Sequence, residues 1–445
     1  MTPRPSRVRL RAYKVGFGDC LLLTVTYAKP LPDGRSERHV LIDCGTVKKA
    51  DAGPALADIV AKMAEHCAGQ LDVVVATHRH KDHISGFADR RARKTLDTFT
   101  PAAVIRPWTD APESARGERG LGLDEAHLEF LRGIDKLPQQ AQALAELAFD
   151  DGAVAKRARE LVEMGLANAE AVALLEDWGG PDRARYVKAG DVVDLTDVLP
   201  GVKIRALGPP TLDQVPSLTR YAKESEEYWL GLAADEQLAD HIEQADDPAA
   251  VQRAARVLGS PGGVGAAEWL VRQLASRRVT QGLEIVEALD DVLNNTSVIL
   301  LITVGDRRIL LPGDAQIENW SFTLDQSLAD RRTREGTRLA RELAQVDLYK
   351  VGHHGSRNAT PKRLLTHWTD ADGARRRVVS VLTTKSGVFG KSTEGAVPKA
   401  QLIDGLKQFG PVHSTDDLSA DVWWMDLEAP AFGDHGFDFS PGEPV

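Results

Sequence analysis

The stretch Thr77-His78-Arg79-His80-Lys81-Asp82-His83 places four metal-ligating side chains within six residues, directly after an apolar run. In extended backbone His78 and His80, two apart, project to the same side. Asp82 and His83, on the turn into a following helix, can reach a second ion about 3.5–4 Å from the first, the spacing of two-metal hydrolytic sites. Imidazole combined with carboxylate suits Zn²⁺, with Mn²⁺ or Fe as alternatives. A single histidine would be read as part of a charged surface turn; this cluster is not. Two distant segments supply what such a site still lacks. Leu311-Pro312-Gly313-Asp314 ends an apolar run and can present Asp314 between two cations, although Gly-Asp alone is an ordinary turn. Lys350-Val351-Gly352-His353-His354-Gly355-Ser356 brings an adjacent histidine pair. Neighbouring side chains diverge, so one of His353 and His354 is expected to ligate and the other to stand beside the ligands or donate a proton; the sequence leaves open which.

These residues must be held by a sheet. Residues 8–13, 21–27 and 40–43 read as strands, residues 54–67 as a helix, and residues 71–76, apolar after Asp72, as a strand covered on both faces. A helix is expected after His83 and a strand at 103–105, giving a sheet with helices on its outer face. Strand patterns return at 191–195, 202–207, 297–304, 308–311 and 346–351, with Gly305-Asp306 marking a hairpin. Between them the chain turns Ala-, Leu-, Glu- and Arg-rich with helical periodicity. The expected organisation is an α/β catalytic domain over 1–430, interrupted by helical insertions at 110–188 and 211–292, and a C-terminal tail at 431–445. Cys20, Cys44 and Cys67 have neither disulfide-framework nor zinc-ribbon spacing and read as small buried residues.

His78-x-His80-x-Asp82-His83 resembles the signature of the metallo-β-lactamase superfamily. Val15-Gly16-Phe17-Gly18-Asp19-Cys20, Leu41-Ile42-Asp43-Cys44-Gly45, Asn294-Asn295-Thr296-Ser297-Val298, the Gly-Asp strand and the His-His segment are similar, more specifically, to its ComEC-like branch: the hydrolase part of bacterial DNA-uptake proteins and stand-alone relatives. The resemblance spans roughly residues 8–108, 189–210 and 294–426. It implies a four-layer αββα fold and a dinuclear metal site on His78, His80, Asp82, His83, Asp314 and the His353/His354 pair. Two features depart from it. A further metal-binding histidine is usual before the Gly-Asp strand, yet His127 and His241 lie in helix-like stretches and read as surface residues. Where the branch tends to carry His-Pro, this chain has Val397-Pro398.

The chemistry expected of such a site is hydrolysis by a metal-bridged hydroxide, two cations lowering the pKa of water from about 15.7 towards ~7. Asp82 and Asp314 would balance cation charge and orient the nucleophile, and the non-ligating member of His353/His354 would protonate the leaving group. Asp19 and Asp43, near strand ends, are candidates to accept the free N–H of ligand imidazoles; turn formation is the competing role. Asn295, Ser297, Lys350 and Ser356 are candidates to hold a phosphate.

Substrate class is narrowed by charge. The 445-residue chain has a formal net charge of −10, which argues against non-specific coating of nucleic acid. A locally positive groove remains compatible with it, and Arg79, Lys81, Lys350 and Arg357 lie beside the ligands in sequence. The basic runs at 90–94, 331–334 and 375–377 read as solvated faces. The leading expectation is a phosphodiesterase acting on DNA or RNA. Hydrolysis of a small ester, lactone, thioester or nucleotide metabolite is the alternative, and a partner-gated regulatory or defence component, contacting a protein partner or a second copy through the insertions, is a third. No apolar run approaches the ~18 residues of a membrane span, and residues 1–15 lack the apolar core of a signal peptide, so a cytoplasmic address is expected.

Overall fold

The computed structural model describes residues 3–50, 53–117, 120–132, 134–135, 168–215, 293–328, 333–358, 360–369, 372–388 and 396–445. Among them, fifteen strands form two mixed sheets. The first holds β1 (Pro5–Tyr13), β2 (Cys20–Tyr27), β3 (Glu37–Cys44), β4 (Val73–Val75), β5 (Ala103–Pro107), β6 (Ala184–Val187), β14 (Trp424–Pro430) and β15 (Asp438–Pro441), in the order β15-β14-β1-β2-β3-β4-β5-β6. The second holds β7 (Val192–Val193), β8 (Val202–Gly208), β9 (Ile299–Val304), β10 (Arg307–Leu311), β11 (Leu348–Lys350), β12 (Val379–Leu382) and β13 (Val412–Ser414), in the order β13-β12-β11-β10-β9-β8-β7.

Alternation along the strands explains how both sheets are buried. Val73 and Val75 of β4 join a cluster that also takes Leu300 and Ile302 of β9, Ile309 of β10 and Val381 of β12, so it draws on both sheets. Val74, between them, faces a different cluster with Ile59, Val60 and Met63 of the helix Leu56–His66. Likewise Ile299 and Leu301 of β9 meet Trp320 and Leu324 of the helix Ile317–Leu328. Each such side chain contributes roughly 1.5–3 kcal/mol on full burial, which is why period-two apolar patterning sets the strand register. The three cysteines are free and buried, and Cys20 lies opposite Cys44 across β2 and β3.

Parallel pairing places the working ends together. β3, β4 and β5 run parallel, as do β10, β11 and β12. Asp43 lies at the end of β3 itself, and the segments after β4, β10, β11 and β12 carry His78–His83, Asp314, His353–His354 and Thr383 respectively.

Several expectations change. The helix after His83 is broken into Lys81–Ile84, a 3-10 turn Ser85–Phe87 and a helix Arg90–Leu96 capped by Asp89. The break sits where Gly86 is pressed onto β3: a Cβ there would come 2.5 Å from Cys44 Sγ. The stretch up to 188 is not all helix, because β6 pairs with β5, and the helix Ala169–Arg183 packs Trp178 against Phe87 of the sheet's outer cluster. Residues 431–445 are not a detached tail: β15 pairs antiparallel with β14, and Phe439 stacks on His413 of the other sheet. The remaining helical-insertion expectations, over 136–167 and 216–292, fall outside the described residues. No helix among the described residues is long and apolar enough to cross a membrane.

Candidate metal centre

Asp82, His83, Asp314 and His354, from three separate segments, are all buried, and one ligand atom of each lies within 4.8 Å of the others. His354 Nε2 is 3.1 Å from Asp82 Oδ2 and 3.7 Å from Asp314 Oδ2, and His83 Nε2 is 3.1 Å from Asp314 Oδ2. His78 and His80 adjoin this group. The His78 ring centroid is 4.2 Å from that of His83 and 4.7 Å from that of His80. His78 Nε2 and Asp82 Oδ1 are buried and make no hydrogen bond. Burying a polar atom without a partner costs of order 1–3 kcal/mol, so atoms left open beside a cluster of this donor type are what a metal site requires. The set fits one or more divalent cations; among the described residues no further histidine joins His78 and His80.

Orienting contacts fix two of the rings, His83 and His354. Asp43, in a left-handed backbone conformation with φ 55°, accepts from Thr77 N–H at 2.7 Å, Thr77 Oγ1 at 2.7 Å and His83 Nδ1 at 2.7 Å. Receiving at Nδ1, it turns Nε2 of His83 to Asp314. His354 is held in the same way by the Thr383 carbonyl, 2.8 Å from Nδ1, while the Phe17 ring packs 4.3 Å from it. Asp19 forms an ion pair with Lys350 and accepts from the Thr383 hydroxyl. Its backbone N–H donates to the Asp82 carbonyl at 2.9 Å, tying the β1–β2 loop to the ligand turn.

Electrostatics point the same way. Burial opposes charge on His83, but Asp314, Asp43 and Asp82 raise its pKa well above the usual value. His354 is raised too, Asp314 again overcoming burial. Burial, offset by His83, His354 and His353, leaves Asp314 well below the ordinary carboxylate range. The carboxylates therefore call for positive charge at this point. His78 goes the other way: burial and the neighbouring His83 and His80 push its pKa down, keeping the neutral imidazole that ligation needs.

The histidine pair divides as its backbone dictates. Both residues have positive φ, 44° and 52°, which turns adjacent side chains apart. His354 is fully buried in the cluster, whereas the His353 side chain keeps 23% of its surface, sits 4.0 Å from Asp314 and contacts Asn358 Oδ1 at 3.2 Å. Other expected residues are placed differently from the sequence reading. Asn295 is fully buried, donating to Glu318 and accepting from Asn319 N–H. Ser297 Oγ accepts from Asp314 N–H at 3.3 Å and so braces a ligand. Lys350 is buried on Asp19, its pKa raised by that carboxylate against burial. Arg79 is half-buried and pairs with buried Asp110 at 2.7 Å and exposed Asp135 at 3.2 Å. Ser356 is half-buried beside His353. His127 is not a surface residue: it is 3% exposed, bound to Asp124 at 2.6 Å and accepting from Leu212 N–H. His241 lies outside the described residues. Pro398 packs on Gly355, and Lys399 N–H donates to the Gly355 carbonyl at 2.8 Å, so Val397-Pro398 abuts the His353-His354 turn.

Sequence reasoning missed Thr77, Phe17 and Thr383. Thr77 adjoins the motif and Phe17 lies in the Gly-Phe-Gly segment, so both had a local signal. Thr383 had none.

No protein-family model matches the chain, and no curated protein matches it in sequence.

Proposed function

We propose that this chain is a metal-dependent hydrolase of phosphodiesters, with DNA or RNA as the leading substrate class, built on a metallo-β-lactamase-like αββα arrangement. The observation that carries the reading is the convergence of Asp82, His83, Asp314 and His354, with His78 and His80 alongside, at the ends of parallel strands from both sheets. Clusters of apolar side chains between the sheets and on their helix-covered faces support the four-layer description. Asp82, His83, Asp314 and His354, with His78 and His80 alongside, would hold the divalent cations; imidazole and carboxylate donors suit Zn²⁺, with Mn²⁺ as the alternative. Divalent cations here would supply an activated water nucleophile at neutral pH and offset negative charge on the attacked group.

The chain's own groups do the rest. Asp43 and the Thr383 carbonyl fix the ring orientation of His83 and His354. His353, partly exposed next to the cluster, is the group positioned to donate a proton to a departing oxygen. Exposed Lys48 and Lys49, on the loop whose Lys48 carbonyl accepts from Phe17 N–H, and half-buried Lys81 give the surroundings a positive bias that favours an anionic substrate.

One observation favours the second reading, a small ester or nucleotide metabolite: Arg79 and Lys350 are spent on internal carboxylates, which removes two cations a polymer backbone would use. The test is hydrolysis of bis-p-nitrophenyl phosphate and of labelled single- and double-stranded DNA and RNA with added Zn²⁺ or Mn²⁺, for wild type and Asp82→Ala. Metal-dependent cleavage lost in the variant supports the proposal. Inactivity of metal-loaded wild type on every phosphodiester refutes it.

A further inference from the structure

Far along the strands from the histidine cluster, the structure contains a cavity of about 630 Å³, lined among others by Arg307, Arg308, Arg376, Arg377, Asp347 and Gly436. It lies at the starting ends of β10, β11 and β12. Asp314 and Thr383 follow the finishing ends of β10 and β12, strands of five and four residues that span about 13–17 Å at ~3.3 Å per residue. Its volume is that of a site for a nucleotide-sized molecule.

The charges inside are unequally matched. Asp347 is claimed by Arg376, 2.7 Å away, with Arg307 at 3.9 Å, and its second oxygen accepts from Arg308 N–H. Arg307 spends its own donors on the carbonyls of Pro430 and Gly433, which bind it without cancelling its charge. Among the described residues, Arg308 and Arg377 have no carboxylate at ion-pair distance, and Arg308 Nε is buried with no hydrogen-bond partner. Asp306, Asp434 and Arg377 are exposed at the rim, and Arg308 Nη1 donates to the Asp306 carbonyl at 3.4 Å. Four guanidinium groups thus share the cavity with three carboxylates, of which only Asp347 lies within ion-pair distance of any of them. Guanidinium forks match oxyanions in pairs of parallel hydrogen bonds, and phosphate most of all.

We propose that this cavity is a second binding site, separate from the hydrolytic cluster, for a small phosphorylated molecule held through its phosphates by Arg308 and Arg377. Arg307 and Arg376 set the field of the site while anchoring the chain around it. Gly436 forms part of the wall, and a Cβ built there meets nothing within 4 Å, so a larger side chain has open space to occupy.

The experiment is calorimetric titration of ADP and, separately, pyrophosphate into the full-length, metal-loaded protein, with Arg308→Gln/Arg377→Gln and Gly436→Phe as variants. Circular dichroism and metal content verify that both variants remain folded and loaded. The expected result is saturable binding of at least one probe to wild type, weakened by about tenfold or more in each variant, a cost near 1.4 kcal/mol. Binding undiminished in both variants would put the anion at the metal cluster and overturn the proposal. So would the absence of binding to wild type at millimolar probe.

Discussion

Asp43→Asn isolates the contribution of a buried carboxylate that prepares His83 for a metal. The substitution keeps volume, and Asn tolerates the left-handed backbone that Asp43 adopts at φ 55°. What changes is the face turned to His83 Nδ1, 2.7 Å away. Asp43 accepts three hydrogen bonds, two of them from Thr77. A carboxamide has one acceptor oxygen. If that oxygen serves Thr77, its amino group points at His83 and favours the tautomer with the proton on Nε2, the nitrogen that faces Asp314 and would have to bind the cation. Loss of such an orienting partner typically weakens metal affinity by about 10–100-fold, or roughly 1.4–2.7 kcal/mol. Zn²⁺ affinity measured by competition with a chromophoric chelator should fall by that factor, with circular dichroism unchanged. An affinity within about twofold of wild type would refute the role of Asp43 in setting the His83 tautomer.

The histidine pair should separate by assay: His354→Gln is expected to lose bound metal, whereas His353→Gln keeps it. The latter should slow phosphodiesters with alkoxide leaving groups by about 10²–10⁴-fold, but p-nitrophenyl esters, whose leaving group needs little protonation, much less; equal slowing of both would exclude His353 as the proton donor. A Cβ at Gly45 would lie 2.5 Å from backbone atoms of Asp82 and His83, so Gly45→Ala should displace the ligand turn and reduce metal content, which elemental analysis reads directly. His39 gives the acid limb of stability. Burial lowers its pKa from 6.5 to about 4, so the unfolded chain takes up this proton first. Stability is complete above pH 6.5 and declines as pH falls towards 4, by about 3 kcal/mol in all, and urea midpoints of wild type and His39→Gln should converge at low pH if this holds.

Much of the candidate centre was legible because four of its side chains are neighbours in the chain. His78, His80, Asp82 and His83 follow an apolar strand, and local backbone geometry suffices to gather them. The strands themselves were legible for a similar reason: period-two patterning records which side chains are buried, as Val73 and Val75 against Val74 illustrate. That is information about adjacent positions, which a linear reading can recover.

Local pattern was enough to locate the turn that carries His78 to His83, the strands that end at it and the chemical types of the distant candidate donors. How those donors are shared depended on how the segments pack. His354 enters the cluster and His353 does not because two positive-φ residues turn the pair apart and Thr383, 29 positions on, receives His354 Nδ1. Lys350, a candidate for phosphate, is instead neutralised by Asp19, and Arg79 by Asp110 and Asp135. Residues 438–441 become an edge strand rather than a tail because β14 offers them a free ladder. The physical reason is common to all of these: which partner a charged or hydrogen-bonding group finds depends on the three-dimensional approach of segments from tens to hundreds of residues apart, from His354 and Thr383, 29 positions apart, to Asp82 and His354, 272 apart, and no local periodicity encodes that approach.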